Sequence, residues 1–210
     1  TTGEGGMVFT NQEKYYDLLL SLREFGRLPP KKFDSQRTKY KDIVLGNYDT
    51  RYVFEYLGYN FRMTDIEAAM GIEQLKKLDN LNKKRLKIVR AYDRGLKMFA
   101  FCLKLPTTAR GAYHTFYGYP IIIKQGVLFN RTEITGFLEQ NGIETRPFFA
   151  GCLPDQPGFR DQPKRIVGAL PVSRWLRDNA FFIGCHPAIT HEQVKKVIAT
   201  FKDFFKRIKI

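Results

Sequence analysis

Along the chain the apolar residues fall into two kinds of pattern, one repeating every third or fourth position and one packed into short alternating or continuous runs. Tyr15, Leu18, Leu19 and Leu22 follow the first kind, so a helix is predicted from an N-cap at Asn11 to a stop near Gly26. A short strand over residues 4–10 precedes it. Thr64, Asp65, Ile66 and Glu67 spell a capping box, in which the Thr and Glu side chains each satisfy the other's backbone N–H. The helix it opens carries Ile66, Ala69, Met70, Leu75 and Leu78 on its apolar face. A second helical stretch with Leu81, Ile88, Val89, Tyr92 and Leu96 extends it into a long arm over about residues 64–99.

Beyond that arm the pattern alternates in type. Strands are predicted over residues 117–123, 143–149 and 180–184, with helices over about 131–140, stopped by Gly142, and 173–179. A second capping box, Thr190 to Gln193, opens a terminal helix lined by Val194, Val197, Ile198, Phe201, Phe205 and Ile208. Interleaved strands and helices indicate an α/β domain over residues 100–210. Two segments lack a period: residues 28–51, with Pro29-Pro30 and Gly46-Asn47, and the stretch around Pro154, Pro157 and Pro163. The first reads as a long loop of the kind that is usually functional or mobile. Residues 1–99 offer only one strand, and a single strand cannot satisfy its own backbone groups. Its sheet partners are therefore expected in an N-terminal part that the chain lacks.

Composition narrows the function classes. Of 210 residues 43% are apolar and 27% charged, an ordinary globular balance. The longest apolar runs fall far short of the roughly 20 residues that span a bilayer, so no membrane segment is expected. Cys102, Cys152 and Cys185 form no C-x-x-C pair, which suits a reduced, cytoplasmic protein. With His114, His186 and His191 they give no metal-ligand spacing, so no metal is expected. The net charge of +14 admits a second class, a basic nucleic-acid-binding domain. However, Lys76, Lys77, Lys83, Lys84, Arg85, Lys87 and Arg90 lie on an amphipathic helix, where a charge run is ordinarily a solvated face, and no nucleic-acid partner is expected. The chain opens Thr-Thr-Gly-Glu-Gly-Gly, with neither an initiator Met nor a secretory pattern.

The glycine cluster Gly3-Glu4-Gly5-Gly6 says little alone, since such clusters more often mark turns than phosphate cradles. It stands first in an ordered series: residues 1–8, then Leu22-Arg23 to Gly26-Arg27, then the block from Gly58 to Ala69, reading Gly-Tyr-Asn-Phe-Arg-Met-Thr-Asp-Ile-Glu-Ala-Ala. Residues 142–147 and 187–190 continue it. This series resembles the nucleotide-sugar aminotransferases of the DegT/DnrJ/EryC1/StrS type, a family that also contains sugar 3-dehydratases, and the resemblance runs over essentially the whole chain.

The resemblance implies the C-terminal part of a fold type I pyridoxal-phosphate (PLP) transferase. Residues 1–99 would be the remnant of its large cofactor-binding domain with the helical arm, and residues 100–210 its small α/β domain. It implies a homodimer in which Asn60 and Arg62 contact the phosphate of the PLP bound in the neighbouring subunit. The residues alone also allow Asn60 to end a turn and Arg62 to pair with a surface carboxylate. Arg146, before Pro147, falls where it would bind a sugar or diphosphate oxygen, or lie free on the surface; His114 falls where the family places a histidine near substrate, or packs among aromatics.

The Schiff-base lysine of the family precedes the Thr-Gly-Glu-Gly-Gly segment, so it is expected upstream of Thr1, together with the ring-binding residues. An upstream extension of about 150–200 residues, a domain-sized length, is expected, and the 210 residues alone are expected to bind PLP weakly or not at all and to be inactive. The aminotransferase reading is taken first. Residues 117–121, 148–153, 156–159 and 183–187 lean towards the 3-dehydratases; Arg62, His114 and the lack of a four-cysteine cluster lean back.

Overall fold

A computed structural model describes residues 1–29 and 52–209. Most of the predicted 28–51 loop therefore lies outside the described residues. By contacts the chain divides into two compact units, Thr1–Lys77 and Leu78–Ile210.

In the first unit, helix α1 spans Glu13–Arg23. Its N-cap is Gln12 rather than Asn11, and no side chain caps it. The residues it buries are Asp17 and Ser21, whereas Tyr15, from the expected apolar face, is exposed. Residues 4–10 form no strand, and Met7, Val8 and Phe9 are all largely exposed. The run is apolar enough for a strand, but no described segment offers it a ladder, and an unpaired strand has no stability of its own. The sheet neighbours expected for it are not among the described residues.

Helix α2, Asp65–Leu96, begins in the first unit and ends in the second. Its opening is the predicted capping box: Thr64 N donates to Glu67 Oε2 at 2.8 Å and Glu67 N to Thr64 Oγ1 at 3.3 Å. These bonds hold the Glu67 carboxyl below its usual range. The two predicted stretches are one helix of 32 residues, about 48 Å long at 1.5 Å per residue, because no Gly or Pro interrupts residues 72–94. Its first half leaves Ile66, Met70, Leu75 and Leu78 of the predicted apolar face exposed. A 3-10 turn, Lys97–Phe99, closes it.

The second unit is built on a four-stranded antiparallel sheet of order β1-β2-β4-β3, comprising β1 Leu103–Lys104, β2 Tyr119–Ile123, β3 Thr145–Pro147 and β4 Ala180–Ile183. Between and after the strands come α3 Arg131–Gln140, a 3-10 turn Leu153–Asp155, α4 Pro157–Arg160, α5 Pro171–Asn179 and α6 His191–Arg207. The register sets Tyr119 opposite Ile183 and Ile121 opposite Phe181, so these four buried side chains share one face. Ile88, Val89, Tyr92 and Leu96 of α2, Ile134 and Leu138 of α3, and Val194, Val197, Phe201, Phe204 and Phe205 of α6 join them in a single core. Burying each large apolar side chain stabilises the fold by about 1.5–3 kcal/mol.

Polar bonds fix the edges of that core. Tyr119 Oη donates to Asp93 at 2.8 Å and Tyr92 Oη to the Gly184 carbonyl at 3.1 Å. Burial pushes the Tyr92 phenol up to about 12, and burial together with Asp93 drives Tyr119 further in the same direction. Both α3 and α6 begin in complete capping boxes, Asn130 with Glu133 and Thr190 with Gln193. Among the described residues no helix is long and apolar enough to cross a membrane.

Candidate functional site

Asn60 and Arg62 stand on a segment that pairs antiparallel with the chain leaving α1. Tyr59 N donates to the Leu22 carbonyl at 2.7 Å, Phe25 N to the Tyr59 carbonyl at 2.8 Å and Phe61 N to the Arg23 carbonyl at 3.1 Å, so Asn60 faces Glu24 in an isolated bridge. The two backbones cross where both lack a side chain. A Cβ at Gly26 would lie 1.8 Å from the Tyr56 carbonyl oxygen, and one at Gly58 2.0 Å from the Gly26 nitrogen. Gly26 also takes φ +87°, the left-handed region that favours glycine. The crossing thus depends on two glycines far apart in sequence.

On this platform the two candidate side chains meet. Arg62 Nε donates to Asn60 Oδ1 at 3.0 Å, and the guanidinium stacks over Phe25 with its carbon 5.0 Å from the ring centroid. Glu24 lies 3.7 Å from Arg62 Nε and 3.6 Å from Arg23 Nε. With Nε engaged, Arg62 keeps its two terminal nitrogens as donors and Asn60 its amide NH2, a set suited to a phosphate dianion. Both residues are exposed. These donors fit the phosphate end of PLP; they offer nothing of the shape or chemistry that would hold its ring. Nearby, Arg27 lies 5.0–5.7 Å from the centroids of Tyr52, Phe25 and Phe54, which clamps the crossing from its other end.

The other two candidates belong to the second unit. Arg146 sits on β3 opposite Phe182 of β4, on the sheet face away from the core. Its Nη2 meets Glu144 Oε1 at 2.9 Å, and Glu144 and the Tyr117 phenol both hold the guanidinium protonated. His114 is exposed, with its ring centroid 4.0 Å from that of Phe116. The structure therefore brings Asn60 and Arg62 together, and gives Arg146 and His114 separate surroundings: an ion pair and an aromatic ring.

Around Arg146 the structure gathers residues that periodicity does not single out. Phe182 stacks on Phe148 at 4.7 Å and meets Phe149 edge-on at 5.5 Å, and Tyr117 lies 6.1 Å from Phe149. The only hint in the sequence is the Phe148-Phe149 doublet directly after the Arg146-Pro147 strand end. The loop beyond is pinned by Asp155, whose carboxylate takes Arg174 at 2.8 and 2.9 Å and Arg177 at 2.7 Å. The bond from Arg174 leads in pulling the Asp155 carboxyl down to about 2.

Comparison with known proteins places this architecture. The model of the DegT/DnrJ/EryC1/StrS aminotransferase family matches residues 1–202. The chain is 33% identical to the lipopolysaccharide biosynthesis protein RfbH of Salmonella typhimurium, over 98% of this chain and 48% of that protein. It is 31% identical to the dTDP-4-dehydro-2,6-dideoxy-D-glucose 3-dehydratase of Saccharopolyspora spinosa, over 97% of this chain and 45% of that one. In fold it is similar to the E. coli GDP-4-keto-6-deoxy-D-mannose-3-dehydratase crystallised with hydrated PLP, with a TM-score of 0.73 at 23% identity, covering 91% of this chain and 48% of that one. The chain thus spans about half the length of the relatives it matches, and its mixed helix and sheet is the C-terminal part of a fold type I PLP-dependent transferase. The match over residues 1–202 assigns the chain to the DegT/DnrJ/EryC1/StrS aminotransferase family.

Proposed function

We propose that the chain is the C-terminal part of a cytoplasmic PLP-dependent aminotransferase that acts on a keto nucleotide sugar in amino-sugar or surface-polysaccharide synthesis. The observation that carries this reading is the hydrogen-bonded Asn60–Arg62 pair within a family match that spans nearly all the chain. When bound, PLP supplies an electron sink for chemistry at the substrate carbon. The role of this chain is to hold and orient. Asn60 and Arg62 grip the cofactor phosphate of the neighbouring subunit in a homodimer, while Arg146 and His114 face the nucleotide sugar. The bare apolar face of α2, with Ile66, Met70 and Leu75 exposed, supports a partner surface there, whether from the second subunit or the upstream half of the polypeptide. In this reading residues 1–99 are the remnant of the large domain and 100–210 the small one, and the fragment alone is inactive.

A second reading, a nucleotide-sugar 3-dehydratase, is favoured by the 31% identity to an enzyme of that name. Incubating the parent protein with PLP, glutamate and a 4-keto nucleotide sugar separates the two: an amino sugar supports the first, loss of the 3-hydroxyl the second. The cofactor role has its own test. In the parent protein, Asn60→Ala with Arg62→Ala removes charge-assisted bonds worth about 1.5–3 kcal/mol each, so PLP should dissociate on gel filtration where the unaltered protein retains it. Equal retention would overturn the assignment.

A further inference from the structure

We propose that the outer face of α2 and the turn after it dock the protein on an anionic phospholipid surface, with a stripe of cations set at the headgroups and Met98 and Phe101 entering the layer. This face lies outside the cofactor and substrate candidates, and the proposal does not depend on them.

Periodicity reads the basic run on α2 as a solvated face, and the structure divides it. Lys76 pairs with Glu73, and Arg85 turns inward, donating to the carbonyls of Phe116 at 2.7 Å and Tyr117 at 3.0 Å. Lys83, Lys87, Arg90 and Arg94 are spaced alternately by four and three residues, and Lys97 follows three further on, in the 3-10 turn. All five are exposed, and among the described residues none forms an ion pair. The four on the helix fall within about 60° of its circumference, opposite the buried Ile88, Val89, Tyr92 and Leu96. From Lys83 to Lys97 the stripe runs about 21 Å. Its flanking carboxylates are Asp79, a turn before Lys83, and Asp93, which accepts from Tyr119. A Cβ at Gly95 would lie 2.3 Å from Ile198 Cδ1, so α2 and α6 touch there. Lys195 and Lys202, exposed about one turn to either side of Ile198, widen the positive surface, although Glu192 offsets part of Lys195.

The stripe ends in an apolar pair. After Leu96 the chain tightens: Ala100 N donates to the Lys97 carbonyl at 3.0 Å and Cys102 N to the Phe99 carbonyl at 3.1 Å. That three-residue period sends Phe99 and Cys102 into the core, with Phe99 stacked on Phe205 at 4.2 Å, and leaves Met98 59% and Phe101 60% exposed. Lys124 donates to the Ala100 carbonyl, which fixes the turn and adds another exposed cation beside it. Open apolar side chains next to unpaired cations suit a bilayer interface. There the long Lys and Arg stems reach the headgroup phosphates and the apolar groups meet the acyl boundary. Each cation near an anionic leaflet strengthens binding about fivefold, so a stripe acts where a single lysine does not. A nucleic-acid duplex would use the charges but leave Met98 and Phe101 without a partner. The ammonium groups of Lys83, Lys87 and Lys97 also match the diffuse field of headgroups better than a bidentate grip on one phosphate.

Co-sedimentation of the parent protein with phosphatidylcholine vesicles, and with vesicles in which about a third of the lipid is phosphatidylglycerol, tests the proposal. The protein should sediment with the second and not with the first. Raising the salt from about 0.1 M to about 1 M, which shortens the screening length from about 10 Å to about 3 Å, should release it. Lys87→Gln with Arg90→Gln should weaken binding by about tenfold or more. Lys196→Gln with Arg207→Gln removes equal charge from the side of α6 that faces Gly142 and Phe137, and should change binding by less than about threefold. Phe101→Trp should show indole emission that moves to shorter wavelength on the anionic vesicles alone. Equal sedimentation with both vesicles or with neither, unchanged affinity in the Lys87 and Arg90 variant, an indole emission that does not move, or tighter binding to duplex DNA than to the anionic vesicles would each overturn it. PLP retention should be the same in that variant and the unaltered protein, so this proposal and the cofactor reading can fail separately.

Discussion

Replacing Gly26 with Ala tests whether the crossing beneath Asn60 is as tight as its geometry indicates. Two costs combine there. Left-handed backbone at a residue with a Cβ costs about 1–2 kcal/mol, and the new methyl falls 1.8 Å from the Tyr56 carbonyl oxygen and 2.6 Å from its carbon, which only backbone movement relieves. Overpacking of that kind costs about 1–3 kcal/mol more, for a sum of about 2–5 kcal/mol. Two controls separate the terms. Gly3 has the same φ of +87° but nothing within 4 Å of an added Cβ, so Gly3→Ala carries the backbone cost alone. Gly58 lacks the positive φ but meets the Gly26 nitrogen at 2.0 Å, so Gly58→Ala carries the steric cost alone. Urea unfolding should rank the variants Gly26, Gly58, Gly3 in decreasing loss. Amide exchange at Tyr59 and Phe61, which donate across the crossing, should accelerate in the first two and not in the third. An unfolding midpoint for Gly26→Ala equal to that of Gly3→Ala would refute the close approach, and with it the claim that these glycines place Asn60 and Arg62.

Asp155 gives an acid-side expectation. Its folded carboxyl is depressed to about 2 from an ordinary value near 3.8, so its stabilisation of the 150s loop is present above the ordinary value and lost as pH falls towards 2. Proteolytic nicking between Leu153 and Leu170 should rise over that window, and Asp155→Asn should show the raised nicking already at neutral pH. Tyr119 gives an alkaline one. Burial and Asp93 raise its phenol, so its contribution is complete below about pH 10 and lost as pH climbs beyond. Tyr119→Phe should cost about 1.5–3 kcal/mol at neutral pH, from the lost bond to the Asp93 carboxylate, and should make alkaline unfolding less steep in a pH series of urea melts.

The second unit was largely legible in sequence, for identifiable physical reasons. Helix 131–140 appears with the bounds its periodicity and Gly142 dictate, and the box at Thr190 forms as written. The strands were found with ends one or two residues too long, since Tyr117, Gly118 and Gly184 are extended in pattern but lack ladder partners. Strand β1 escaped notice because two residues carry no period. The Asn130–Glu133 box was overlooked although its Asn-x-x-Glu signature was present. Of the site, Asn60 and Arg62 were singled out by the resemblance that the block from Gly58 to Ala69 carries, whereas the crossing beneath them pairs glycines from distant segments and leaves no local trace. The ring cluster at Arg146 was hidden for the same reason: Tyr117, Phe149 and Phe182 come from three elements.

The failures have a common cause, and it lies in what periodicity reports. An apolar stripe states that a face is buried somewhere in the protein's working form; it does not state that the partner lies in the same chain. In the second unit the partners are in the chain. The last half of α2 buries Ile88, Val89, Tyr92 and Leu96 against its own sheet, and pattern and burial agree. In the first unit the same kind of stripe, at Ile66, Met70 and Leu75, stays in the open, as does the apolar run from Met7 to Phe9. One helix thus obeys the rule at one end and breaks it at the other, with no change in helix-forming character between them. The chain spans about half the length of its relatives, and in the proposed reading the open stripe and run are the surfaces that a second subunit or the upstream half meets. In that reading the unused pattern marks contacts outside the chain rather than an error of folding. The same holds for the strand predicted over residues 4–10: its β pattern is present in the sequence, and no ladder among the described residues realises it.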